Sequence, residues 1–290
     1  DRTGIQFRRL NTSRGPAVRA SRAQADKKDY QFEIKYACEA QPHLDIRQGM
    51  MECLLVDAGT ARGVGVKGGI VYRGHTVILT TGTFLRGKIH VGDFSYSAGR
   101  AGETSADKAS EGLAALGFEI GRLKTGTPPR INGRTLDFAA LEEQPGDDPP
   151  RPFSYACEKI TQAQIPCWVT YTNPQTHQLV EANLEQSAMY SGRIEGIGPR
   201  YCPSIEDKIV RFADKERHQI FVEPEGRRTL EYYINGLSMS LPEHVQHQIV
   251  RTLPGLEKTE IMRPAYAVEY DYASPIQLHP YLETKRVARL

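Results

Sequence analysis

Met50–Gly82 reads MMECLLVDAGTARGVGVKGGIVYRGHTVILTTG, and the fold turns on what its glycines do. Gly63, Gly65 and Gly68 satisfy the G-x-G-x-x-G spacing of a dinucleotide-binding turn. That turn needs a following helix whose N-terminus meets the pyrophosphate. A second β-type run follows here instead, so the stretch reads as strands joined by glycine-rich turns, ending in a buried strand, Thr76–Gly82 (TVILTTG). A strand closing on Thr-Gly lets the backbone approach a bound nucleotide, because Gly82 puts no side chain in the way. Gly82–Ile89 (GTFLRGKI) imitates a phosphate-binding Walker loop, but Ile89 stands where a Ser or Thr would hold Mg²⁺.

Outward from this stretch, residues 43–49 (HLDIRQG) alternate as a strand, and residues 17–40 read as a helix of roughly six turns. Downstream, residues 107–118 suit a helix closed by Gly117, and Pro-rich loops at 127–134 and 144–152 suggest a boundary between modules. Beyond them, CWVTYT (Cys167–Thr172) and HQIFVEPEG (His218–Gly226) read as strands, with helices near 176–190, 204–214 and 242–253.

Composition bounds the class. Among 290 residues, 37 basic side chains nearly balance 35 acidic ones, and no run of 18 apolar residues exists to span a membrane. No signal peptide is visible. Residues 1–28 are locally basic: Arg2, Arg8, Arg9, Arg14, Arg19, Arg22, Lys27 and Lys28 face only Asp1 and Asp26. Such a segment either meets nucleic-acid phosphates or forms a solvated helix face. Five cysteines (Cys38, Cys53, Cys157, Cys167 and Cys202) form an odd set without C-x-x-C, which points to free thiols in a reducing compartment. His244 and His247 share a helix face but have no third ligand nearby, so no metal is expected. The chain starts at Asp1 without Met, and a piece of a longer protein is expected.

Gly198–Phe212 (GPRYCPSIEDKIVRF) carries the densest chemistry. Ser204 and Asp207 fit a capping box, and Pro203 suits the entry to a helix beginning beside Cys202. A helix N-terminus with Arg200 and Lys208 nearby would favour thiolate and would also attract an anion. A buried, inert cysteine is the other reading.

These residues resemble the MnmG (GidA) family of tRNA-modifying flavoenzymes. The likeness extends through Ile5–Asp26 (IQFRRLNTSRGPAVRASRAQAD), Ser97–Glu103 (SAGRAGE), Gly121–Gly133 (GRLKTGTPPRING), Asn183–Lys208, His218–Gly226 and Arg263–Tyr272 (RPAYAVEYDY), in the family's order. It implies an α/β fold: an FAD-binding two-dinucleotide-fold (Rossmann-like) domain with an inserted mixed α/β domain. Residues 1–125 and 264–290 would belong to the FAD-binding domain, and 126–263 to an inserted NADH and substrate domain. The family's N-terminal Gly-rich loop and C-terminal helical domain are not within this sequence.

The resemblance also implies chemistry: FAD, NADH and methylenetetrahydrofolate used to build a (carboxymethyl)aminomethyl group on C5 of the wobble uridine of tRNA. It implies work with the GTPase MnmE, as a cytoplasmic homodimer. By resemblance Cys202 is catalytic. The NADH-binding segment would be Gly198, Pro199, Arg200, Tyr201, Cys202, Pro203, Ser204, Ile205, Glu206, Asp207, Lys208, Ile209, Val210, Arg211 and Phe212. Met51 and Ala106 match cofactor-contacting positions, Ala106 standing where Ser is frequent. Met239 and Ala265 stand where the family usually has Thr and Gly. The neighbouring readings are a folate- and FAD-dependent tRNA uracil methyltransferase, which lacks GPRYCPSIEDK, and a non-catalytic tRNA-binding relative.

Overall fold

The computed structural model describes residues 1–198 and 203–290. Its N-terminal arm is a two-stranded ribbon, β1 (Gly4–Leu10) antiparallel to β2 (Ala20–Ala25), followed by α1 (Lys27–Glu39). The single long helix expected over 17–40 is therefore corrected. Residues 20–25 are held in the ladder with β1, and Asp26 starts the helix by accepting from the N–H groups of Lys28 and Asp29. An N-cap residue has extended backbone, so the helix cannot run back through it. A third donor, Arg227 N at 2.7 Å, ties that carboxylate to the far end of the chain.

The glycine-rich stretch folds as a meander: β3 (Met51–Asp57), β4 (Thr60–Val66) and β5 (Val71–Arg73). Gly63 needs its missing side chain, since a Cβ there would stand 2.1 Å from Tyr72 O across the β4–β5 pair. No helix follows, and the hairpin reading of Gly63–Gly68 holds. The Walker-like glycines lead likewise into a strand, β6 (Lys88–Val91), paired with β7 (Phe94–Ser97).

Two expected strands are not formed. Residues 43–49 and 76–82 have no ladder partner among the described residues, and a strand exists only where its amides and carbonyls pair. In the second, Val77 N reaches only Arg289 O, at 2.9 Å. Ile78 is 84 % exposed, so that segment is not buried either.

α2 (Asp107–Ala115) ends as expected, with Gly117 in the left-handed region (φ 86°) donating to Ala114 O. Its Ala109 and Leu113 pack with Ala61, Leu85, Phe118 and Val287, and Met51 and Ala106 lie on the same cluster. β8 (Ile120–Thr127) leads to β9 (Arg130–Asn132), β10 (Glu142–Gln144), β11 (Cys167–Tyr171) and α3 (Pro174–Ala182). After α4 (Ile205–Arg211) come β12 (Gln219–Pro224), β13 (Glu231–Asn235), α5 (Glu243–Val250), β14 (Ile261–Arg263) and β15 (Tyr266–Ala273).

Two sheets organise this half. One has six strands in the order β10-β11-β12-β13-β9-β14, and its Ile131, Ile220, Val222 and Ile234 pack under α3, α4 and α5. The other has four, β7-β6-β15-β8, so β6 and β8 each pair antiparallel with β15. The architecture is mixed α/β.

Candidate active site

Pro199, Arg200, Tyr201 and Cys202 lie outside the described residues, and so does the reading of Cys202 as a thiol activated by Arg200. Both flanks are described, and each is pinned. On the N-terminal side, Ile197 bridges Leu123 in parallel, with Lys124 N donating to Ile197 O at 3.1 Å. Glu195 N and Gly196 N both donate to the buried carboxylate of Glu269, at 2.7 and 2.6 Å. On the C-terminal side, the capping box is present. Ser204 Oγ accepts from Asp207 N at 3.2 Å, and Asp207 Oδ2 accepts from Ser204 N at 3.3 Å.

α4 buries Ile205 and Ile209 in the core of the six-stranded sheet, leaving Val210 and Phe212 each 45 % exposed. Its first turn also buries two carboxylates. Glu206 has no exposure, and its Oε1 accepts from Ser240 N (2.9 Å) and Ser187 Oγ (3.0 Å). Ser240 O in turn accepts from Gly92 N at 2.8 Å, which links α4 to the β6–β7 turn. Asp207 is tied to its own helix by the cap and by Arg211 at 3.3 Å.

Ser204–Lys208 form a capped first turn. Two acids lie in the first turn, and the cap engages the Asp207 N–H. The Lys208 ammonium donates to Gly236 O at 2.8 Å. Negative side chains are the natural partners of a helix N-terminus, and Asp207 is one of them here.

The other positions lie elsewhere. Met51 opens β3, and Ala106 precedes α2 with its N–H donating to Phe84 O at 2.8 Å. Both pack on one apolar cluster. The neighbouring Ser105 hydroxyl is held by Asp107 (2.5 Å) and Phe84 O (3.1 Å). His244 is exposed and His247 lies 4.0 Å from Glu243; among the described residues no group of three His, Cys, Asp or Glu could hold a metal.

Sequence reasoning passed over a buried charged layer on one face of the four-stranded sheet. Arg122 and Lys124 of β8 stand opposite Asp271 and Glu269 of β15 in register, with His90 of β6 beside them. Lys124, Glu269, Asp271 and His90 are each at most 3 % exposed. Arg122 donates to Asp271 at 2.7 Å and stands 3.4 Å from Glu269, while Ser110 donates to Asp271 at 2.5 Å. Burial pushes the His90 imidazole below its ordinary value, only partly opposed by Glu269. The signal was present: R-x-K in one strand and E-x-D in another put complementary charges on one face at period two.

A cleft of about 760 Å³ opens between the start of α1 and the ends of β6 and β15, lined by Tyr96, Arg100, Arg130, Arg263 and Tyr266 among others. Its bases are matched by acids: Arg130 with Glu225 at 2.7 Å, Arg263 with Glu231 at 3.0 Å, and Arg228 with Asp29 at 3.1 Å. Little free positive charge is left there to attract a phosphate.

Comparison with known proteins places this geometry. The family described as Glucose inhibited division protein A matches residues 1–290. Relatives from Geobacter metallireducens and Bacillus licheniformis, each named "tRNA uridine 5-carboxymethylaminomethyl modification enzyme MnmG", are 58 % and 57 % identical over all 290 residues, which cover 46 % of each. The chain thus spans about half the length of these relatives. Aquifex aeolicus GidA in its form I crystal superposes with a TM-score of 0.93 at 50 % identity, over 99 % of this chain and 49 % of that one. With the match unbroken from the β1–β2 ribbon to the last residue, through both pinned flanks of the cysteine motif, the chain belongs to the glucose-inhibited division protein A (GidA) family.

Proposed function

We propose that the protein carrying this chain modifies the wobble uridine of tRNA at C5, adding a (carboxymethyl)aminomethyl group with FAD, NADH and methylenetetrahydrofolate. The observation that carries this reading is 58 % identity, across every residue of the chain, to a relative named for that modification. Cys202 is its catalytic thiol and Gly198–Phe212 its NADH segment. MnmE is its partner, the cytoplasm its compartment and a homodimer its assembly. Residues 126–263, with the six-stranded sheet, serve as the inserted domain.

The residues present fit one wall of a flavin nucleotide site. Gly82 has left-handed backbone (φ 55°) and open space where a Cβ would be, its nearest neighbour being Phe84 at 4.0 Å. An exposed glycine backbone of this kind admits close approach of a ligand. Met51 would meet the cofactor through backbone groups, which tolerate Met, and Ala106 would do so without a hydroxyl. Bound FAD would supply two-electron transfer between NADH and the one-carbon unit. The role of this chain is to seat it, to present the thiol, and to hold the two sides of the cysteine motif against different sheets.

The test is reduction of the flavin in the purified full-length protein. NADH should bleach the flavin absorbance under anaerobic conditions, and tRNA should bind in the same preparation. A protein that binds tRNA but no flavin is a non-catalytic relative. One whose loss removes only 5-methyluridine is the methyltransferase.

A further inference from the structure

Arg8 stands directly opposite Arg22 in the β1–β2 ladder. Like charges in that relation repel, and a neutral strand former at position 8 would avoid the cost. Of the two, one is answered: Arg22 pairs with the buried carboxylate of Glu223, whereas the Arg8 Nε is buried with no hydrogen-bond partner. Among the described residues Arg8, Arg9 and Arg151 form no ion pair. These three line a shallow pocket together with Ser21, Arg22 and Asp147. Asp147 is the one acid of that lining, and its Oδ2 accepts from Arg9 N at 2.7 Å. The rim carries a second signal. Phe153, which also lines the pocket, is 52 % exposed, and Tyr155 is fully exposed. Their loop is fixed in place by Asp1, whose two carboxylate oxygens accept from Phe153 N and Ser154 N, each at 2.8 Å.

We propose that this face of the ribbon binds an unpaired stretch of RNA, Arg8, Arg9 and Arg151 seating backbone phosphates while Phe153 and Tyr155 stack on bases. The inference rests on the tRNA reading proposed above. Charge selects a phosphate, because a guanidinium fork matches two phosphate oxygens and the arginines here outnumber the acids. Exposed Arg14 and Arg19, in the loop at the end of the same ribbon, extend the positive surface beyond one phosphate group and so favour a polyanion. The aromatic pair selects the unpaired strand. Bases stacked inside a duplex offer no face to a side chain, whereas the splayed bases of a loop do. With the loop already held by Asp1, the stacking surface is in place before RNA arrives.

Two double variants of the full-length protein test this by filter binding at several salt concentrations: Arg8→Gln with Arg151→Gln, and Phe153→Ala with Tyr155→Ala. The probes are an unmodified tRNA anticodon stem–loop and a blunt duplex of its stem sequence. The arginine pair should flatten the log–log salt slope for the stem–loop by roughly 1 to 2, at about 0.7–0.9 for each phosphate released, and Lys at both positions should keep the slope. Arg151→Gln alone, at an exposed residue, should flatten it by about 0.7–0.9 and carries the test if the pair fails to fold. The aromatic pair should weaken stem–loop binding roughly tenfold or more with its slope unchanged, and leave duplex binding alone. Equal weakening of stem–loop and duplex would overturn the unpaired-strand assignment. Arginine variants that melt lower but keep the wild-type slope and affinity would show structural arginines and overturn the phosphate seat. So would a raised KM for NADH with RNA binding intact, which would give the pocket to a dinucleotide. Wild-type protein that binds no tRNA overturns the functional reading as well, whereas tRNA binding matched by both double variants overturns this surface alone.

Discussion

Cys167 begins β11 with no exposed surface, and burial, helped by Glu223, pushes its thiol up to about 12. It is a small apolar core residue. Cys53, by contrast, is exposed. Alkylation of the native protein near neutral pH should therefore label Cys53 and spare Cys167 until the fold is opened; mass spectrometry of digests reads this directly, and native labelling of Cys167 would show the β11 edge to be open. Cys202 could be told from Cys167 in sequence only by its companions. A capping box and two arginine or lysine neighbours flagged it, and the box is where it was expected. What the local pattern could not convey is that Lys208 donates to Gly236 O. Side-chain direction is decided by what packs across the helix, here the end of β13. Lys208→Ala should accordingly cost about 1.5 kcal/mol of stability in denaturant unfolding, as for a charged hydrogen bond, whatever it does to NADH. Unchanged stability would show that the Gly236 contact adds nothing to the fold.

At the scale of elements, the basic N-terminal segment divides. Arg22 forms an ion pair with Glu223, which is 3 % exposed, while Arg14 and Arg19 are exposed in the loop between β1 and β2. Charge alone could not separate them, because the segment folds as a ribbon rather than a helix and the ribbon lays Arg22 against β12. Arg22→Ala should destabilise the protein by about 3 kcal/mol, the low end for a buried pair broken on one side. Removing Arg14 and Arg19 together should leave the melting curve alone. It should flatten the log–log salt slope of tRNA binding by roughly 1.5, at about 0.7–0.9 for each phosphate no longer neutralised. A slope identical to wild type would make those two arginines bystanders.

The junction of α1 with β12 and β9 carries a pH dependence. Burial pushes the Glu225 carboxyl up, but the Arg130 and Lys27 charges beside it outweigh burial and hold it below 4.5. A carboxyl depressed in the fold contributes stability above its unfolded value and loses it as pH falls through the folded one. Asp26 behaves alike, held down by the Asp29, Arg227 and Lys28 amides against its own burial. Unfolding free energy should decline as pH drops below about 4, and Glu225→Gln should flatten that decline at a cost in stability at neutral pH. A Gln variant with the wild-type acid slope would place the titration elsewhere.

Over the whole molecule, sequence patterns succeeded where the stabilising partner is local or the motif is long. The Gly63–Gly68 hairpin, the Gly117 helix stop and the Ser204–Asp207 cap are decided within a few residues. Residues 43–49 and 76–82 carry strand-like composition but no ladder, because pairing is a property of two segments and composition of one. The charged layer of Arg122, Lys124, Glu269 and Asp271 joins residues some 150 apart in sequence, and only the antiparallel register of β8 with β15 makes it one feature. The cysteine motif sits between these regimes: its helix side was legible, and its sheet side, Ile197 on Leu123 and Glu269 under Gly196, was not.

The central claim is that the thiol at 202 serves modification of the wobble uridine, and nucleoside analysis of bulk tRNA addresses it most directly. A strain lacking the gene should lose 5-(carboxymethyl)aminomethyl-uridine and regain it with the wild-type gene. The Cys202→Ser gene should not restore it, although its protein accumulates, folds and binds flavin to the wild-type level. Full modification in the deletion strain, or full restoration by Cys202→Ser, would contradict the account.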